Sequence, residues 1–154
     1  MIQRKQTVYL LLAAILSIVC LCLPLGTVVL EGMGVEPNLY NLALLQYADN
    51  AQQYDFSYSP LFVVLAVTVV LELVAIFMYR NRKRQARVCS LNIALLLIWM
   101  ALFVYFKYVR LTSIGALEQT PWTYIPFVAA VLNYLAFKGI RADERLVRAA
   151  DRIR

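Results

Sequence analysis

From Pro60 to Tyr79 the chain reads Pro-Leu-Phe-Val-Val-Leu-Ala-Val-Thr-Val-Val-Leu-Glu-Leu-Val-Ala-Ile-Phe-Met-Tyr, and Arg80-Asn-Arg-Lys-Arg-Gln-Ala-Arg87 follows at once. A helix rises ~1.5 Å per residue, so about 20 mostly apolar residues cross the ~30 Å hydrocarbon layer of a bilayer. This stretch has that length, one acid at Glu72 and a block of bases at its end. It reads as a membrane span stopped by charge. Three further runs, at 7–30, 88–107 and 121–138, have the same character. Transmembrane β-strands would alternate apolar and polar side chains over about ten residues, whereas Leu61 to Leu71 and Ile93 to Phe106 are apolar almost throughout.

Composition agrees. The 154 residues are 62% hydrophobic and 16% charged, against roughly 45–50% and 25% for globular chains. A water-soluble domain would leave much of that apolar excess on its surface. The expected architecture is all-α: an integral membrane four-helix bundle in a single domain. It has an extracytoplasmic first loop at 31–59 and a cytoplasmic tail at 139–154 that forms a C-terminal amphipathic helix.

Orientation follows from the bases, because Lys and Arg are retained on the cytoplasmic side. Arg4 and Lys5 precede the first span, Arg80, Arg82, Lys83, Arg84 and Arg87 fill the second connection, and Lys138, Arg141, Arg145, Arg148, Arg152 and Arg154 follow the fourth. Lys107 and Arg110 alone fall on the other side, where the 31–59 loop carries Glu31, Glu36, Asp49 and Asp55 and no base. Both termini are therefore expected in the cytoplasm. The first span reads as retained, since its uncharged run is longer than a signal core and no A-x-A-like site follows it.

The net charge of +6 is explained by bases beside membrane spans, which set topology and attract anionic headgroups, so nucleic-acid binding is not expected. In the tail, Arg141, Arg145, Arg148 and Arg152 recur at spacings of four, three and four and share one helical face. Leu146, Val147, Ala150 and Ile153 line a neighbouring face, which suggests a helix lying on the inner leaflet or a docking surface for a cytoplasmic partner. Glu144 is placed to pair with Arg141 or Arg148, and Asp151 with Arg148. The outer loop exceeds a simple helix connection. Pro37 and Asn38 suggest the start of a short helix from Leu39 to Ala48, and Tyr40, Tyr47, Tyr54 and Tyr58 suit an interfacial belt or a partner-facing cap.

Within the spans Glu72 stands out, because a carboxylate in hydrocarbon usually faces protein, water or a partner. It lies ~12 Å inside the base-rich boundary, and Asn92 and Asn133 lie ~7–8 Å inside it, by the helical rise. The three can share one polar layer, with Ser17 and Thr68 placed to extend it outward. Either this layer holds the bundle together through hydrogen bonds, or Glu72 is a proton-binding site with the amides lining an inner vestibule. Lys107 is at the wrong depth to pair with it.

Enzymatic chemistry finds no support. There is no His, no cluster of carboxylates and no Ser or Cys beside an activating group. Cys20 and Cys22 point to different helix faces and Cys89 is far along the chain, so neither zinc nor disulfides are expected. Trp99 reads as packing. No cofactor or metal is called for.

Three segments carry a resemblance: Met1-Ile-Gln-Arg4 with Gln6-Thr-Val-Tyr9-Leu-Leu-Leu-Ala-Ala14, Arg80 to Arg87 with Val88-Cys89-Ser-Leu-Asn92, and Lys138-Gly-Ile-Arg141 through Asp143-Glu144 to Asp151-Arg-Ile-Arg154. Together they resemble an uncharacterised family of four-span inner-membrane proteins from Bacteroidota, domain-of-unknown-function family 4293. The resemblance implies a multi-pass protein of the bacterial inner membrane and draws attention to the cytoplasmic face. In topology alone, four spans with a sizeable first outer loop are also similar to eukaryotic claudin-like proteins. The expected function is an accessory or scaffold subunit of a membrane assembly. The alternatives are a small transporter or channel using Glu72, and a protein responsive to anionic lipid.

Overall fold

The computed structural model describes residues 5–30, 36–48, 51–79 and 81–151, apart from the side chains at 48, 148, 150 and 151. Four helices, α1 (Lys5–Cys22), α2 (Ser59–Phe77), α3 (Arg82–Tyr105) and α4 (Ile125–Asp151), form the body of the molecule. Each is long and apolar enough to cross a membrane. Each packs against its two neighbours in the cycle α1-α2-α3-α4, which makes a four-cornered bundle. The connection from α2 to α3 is short, so those helices run antiparallel. Leu10, Ala13, Leu65, Leu96, Ala129 and Ala136 are among the wholly buried side chains along its axis. The outward faces carry large apolar side chains such as Ile15, Val63, Leu97 and Phe127 that suit contact with lipid.

The molecule is not all-α. Five short strands, β1 (Gly26–Val29), β2 (Asn38–Leu39), β3 (Leu44–Ala48), β4 (Ala51–Asp55) and β5 (Ala116–Gln119), make an antiparallel sheet in the order β4-β3-β2-β1-β5. The first connection supplies four strands and the third supplies β5, which pairs with β1 from Gly26 opposite Gln119 to Val29 opposite Ala116. The sheet closes one end of the bundle. Leu25, Val28, Leu39 and Leu44 are wholly buried and belong to one apolar cluster with Leu61, Trp99, Phe103 and Leu111.

Four expectations are corrected. The first span does not reach residue 30: α1 stops at Cys22, because the residue before a proline is disfavoured in a helix and Pro24 cannot continue one. The β-branched Thr27-Val-Val29 then continues as strand, where such side chains fit well. The segment from Leu39 to Ala48 is not helical but forms β2 and β3, with Leu42 exposed between them. Tyr58 does not join an exposed belt: it is buried with its ring 5.1 Å from that of Phe106, whereas Tyr47 and Tyr54 are exposed. Finally, the tail is not a separate helix. It is the uninterrupted continuation of α4.

α3 likewise runs past its predicted end through a π-helical turn, Phe106–Arg110, into a short 3-10 turn, Leu111–Ser113. Two close backbone approaches hold β5 in place. A Cβ on Gly26 would lie 2.5 Å from the carbonyl oxygen of Glu118, and one on Gly115 would collide with the carbonyl of Val29. Only glycine fits at either point without moving backbone.

Candidate functional site

Counting residues from the basic ends of three helices places Glu72, Asn92 and Asn133 near one level, and the fold brings them into contact. Glu72 is wholly buried on α2, with Asn133 of α4 also wholly buried and Asn92 of α3 1% exposed. Asn133 Nδ2 donates to Glu72 Oε1 at 2.8 Å, and Asn92 Nδ2 donates to the same oxygen at 3.1 Å. Asn92 Nδ2 also donates to Asn133 Oδ1 at 3.2 Å, while Asn133 Nδ2 reaches back to the Ala129 carbonyl at 2.9 Å. Ser17 of α1 faces the same carboxylate. Four helices thus meet at one polar node.

Accounting for donors and acceptors gives the node its chemistry, because a buried polar atom without a partner is costly. Glu72 Oε1 accepts two bonds, whereas Glu72 Oε2, Asn92 Oδ1 and Ser17 Oγ are buried without a hydrogen-bond partner. All three are oxygens. The Ser17 hydroxyl carries its own proton and can serve one of the other two oxygens, so the node is one donor short, a need that a proton on the carboxyl would meet. Thr68, expected to extend the layer, instead turns its hydroxyl to the Leu65 carbonyl at 2.7 Å. Among the described residues, no group of three or more His, Cys, Asp or Glu side chains could hold a metal ion.

A second polar set ties the base-rich end. Gln6 of α1 donates to Asp143 Oδ2 at 2.9 Å, and Arg82 Nη1 donates to the Asp143 carbonyl at 3.0 Å. Gln85 donates to the Ala75 carbonyl at 2.9 Å and so joins α3 to α2. Arg82 is therefore turned inward as a structural tie. Lys83, Arg84, Arg87, Arg141 and Arg145 are exposed. Arg80, Arg152 and the side chain of Arg148 lie outside the described residues, as does the pairing of Asp151 with Arg148.

Asn41, which sequence reading passed over, is the hinge between sheet and bundle. Wholly buried just after β2, it donates through Nδ2 to the Cys20 carbonyl at 2.7 Å and accepts from Trp99 Nε1 at 3.1 Å. Its own carbonyl accepts from the Phe62 amide at 3.1 Å. One side chain and its backbone thus join α1, α2 and α3. Trp99 packs, as expected, with its ring stacked 5.6 Å from that of Phe103, and it also carries this hydrogen bond. Cys20 and Cys89 are buried and Cys22 is exposed, all as free thiols. Thr120 and Thr123 hydroxyls both donate to the Leu25 carbonyl, fastening the start of α4 beside β1.

No curated protein matches this chain. One family model extends over residues 2–153 and takes in the three segments that carry the resemblance except Met1 and Arg154, and by that match the chain belongs to the domain of unknown function family DUF4293.

Proposed function

We propose that this protein is a non-enzymatic accessory or scaffold subunit of a larger assembly in a bacterial inner membrane, with its base-rich end in the cytoplasm and a protein partner docked there. The observation that supports this most is the course of α4, which continues from the bundle to Asp151 without interruption. Helices kink at prolines, at Gly/Ser pairs or at π-bulges. Past Pro126 the described part of α4 has a lone Gly139 and none of those features. The helix therefore keeps the direction it has inside the bundle and projects beyond Ile140, the last wholly buried residue among the described side chains. Leu146 is 70% exposed on this projection, beside Val147, Arg141 and Arg145. Bare apolar side chains flanked by bases on a standing helix suit a groove on an acidic partner.

Extraction in mild detergent followed by mass measurement of the intact particle tests the reading. A stoichiometric protein partner that is retained by the wild type and lost in Leu146→Glu supports it. A lone chain that makes liposomes leak ions overturns it.

A second reading, a small transporter or channel, is favoured by the three orphaned oxygens around Glu72. Toward the sheet, however, the axis is filled by Leu61, Leu65, Leu96, Trp99 and Phe103. A relay across a membrane needs further ionisable groups. Proton-coupled uptake in liposomes that Glu72→Gln abolishes would favour this second reading.

A further inference from the structure

At the base-rich end, α3 and α4 border a cleft of about 310 Å³. Lys83, Arg87 and Ser90 line it from α3, at spacings of four and three that keep them on one helical face. Phe137, Arg141 and Glu144 line it from α4 at the same spacings. Bases outnumber the single carboxylate, so the lining carries a surplus of positive charge. The Arg141 guanidinium sits 5.1 Å from the centre of the Phe137 ring, a cation–π contact that holds its planar fork in place. Ser90 adds a hydroxyl donor. Lys83, Arg87, Ser90 and Arg141 are all exposed.

The same two helix faces change character toward the middle of the membrane. On α3 the next positions of the stripe are Ala94 and Leu97, and on α4 they are Tyr134, the half-buried Ala130 and Phe127, with Leu97, Tyr134 and Phe127 all more than half exposed. A cationic cleft thus opens directly onto an apolar track. A free phosphate would use the cleft alone, whereas a molecule with an anionic head and acyl tails would use both.

We infer that this cleft is a binding site for an anionic glycerophospholipid, with Lys83, Arg87 and Arg141 on its phosphate and its acyl chains along Leu97 and Tyr134. Arg and Lys between transmembrane helices recognise such headgroups by charge and by forked hydrogen bonds. The site requires no protein partner, so it stands or falls separately from the scaffold reading.

Native mass spectrometry of the full chain, titrated with phosphatidylglycerol or phosphatidylcholine, tests it. The wild type is expected to retain phosphatidylglycerol preferentially. Replacing Arg87 and Arg141 together by Gln should lower that preference on the order of tenfold. Replacing Arg84 and Arg145 by Gln removes the same charge from the same end outside the cleft and should leave the preference intact. Equal losses in the two pairs would reduce the effect to general surface charge and overturn the site. Displacement of the bound lipid by 10 mM inorganic phosphate would identify a free-phosphate site and overturn the lipid assignment, whereas retention supports it. Trp99 fluorescence reports whether each variant is folded, and should the Arg87/Arg141 pair fail, Lys83→Gln carries the same comparison.

Discussion

At Glu72 one carboxyl oxygen accepts two amide protons and the other accepts none, and the remaining unpartnered atoms of the node are also oxygens. A carboxamide in place of the carboxyl keeps an acceptor and adds two donors. Glu72→Gln should therefore match the wild type in stability or exceed it by up to about 1 kcal/mol. Glu72→Leu removes the acceptor of one N–H from each of Asn92 and Asn133, which keep their bonds to Asn133 Oδ1 and the Ala129 carbonyl, and should cost about 1–2 kcal/mol. Thermal unfolding in detergent separates the two, and a Gln variant less stable than the Leu variant would refute the donor shortage. Asn41→Ala should cost about 1–3 kcal/mol, because it leaves Trp99 Nε1 and the Cys20 carbonyl unpaired in the core. The node was legible in advance because depth along a helix can be counted from the bases that end it. Asn41 was not, since it lies in a connection with no period to read and its Trp99 partner is 58 residues away.

The elements that sequence reading missed are those where tertiary pairing overrides local pattern. Val28 and Val29 continue the apolar run of the first span, and only Pro24 and Gly26 mark the change from helix to strand. Leu39, Leu42 and Leu45 fit a helical spacing, yet Leu39 pairs with Leu44 across β2 and β3. The β1–β5 pairing depends on the two glycines. With Cys22→Ser to remove the exposed native thiol, cysteines at the directly opposed positions Thr27 and Glu118 should form a disulfide readily. Adding Gly115→Val should sharply reduce its yield on a reducing versus non-reducing gel. The turn leading into α2 is capped by Asp55, whose carboxylate accepts from the Ser57 hydroxyl at 2.6 Å and its amide at 2.9 Å. The Ser57 hydroxyl first, then its backbone amide, holds the Asp55 carboxyl below its usual 3.8. A depressed acid stabilises the folded state above its unfolded pKa, and that contribution is lost as pH falls through the lower folded value. Protection of the Ser57 amide from exchange should therefore be constant above about pH 4 and decline below it. In Asp55→Ala it should be low at every pH.

The molecule as a whole has four helices long and apolar enough to cross a membrane, with its two long connections gathered at one end of the bundle. The pairing of β1 with β5 brings the first and third connections to that end, and the connection between α2 and α3 lies with the end of α4 at the other. The grouping of the base-rich segments at one end of the bundle was readable from the sequence, because charge placement is a property of loops and not of packing. The sheet was not, because its strands come from segments that meet only after the spans have assembled. Labelling of single cysteines should find Ser57→Cys accessible from outside intact cells, and Arg84→Cys and Arg145→Cys accessible only after permeabilisation. The reverse pattern would invert the proposed docking end. Joining β5 to β1 also imposes a timetable on biosynthesis. The Thr123 hydroxyl that grips the Leu25 carbonyl comes 98 residues later in the chain. At ~5–20 residues per second, a ribosome delivers it roughly 5–20 s afterwards. For that interval the nascent protein presents an unzipped margin of Gly26–Val29, so the step most exposed to mispairing or proteolytic surveillance is the wait for the third connection to emerge.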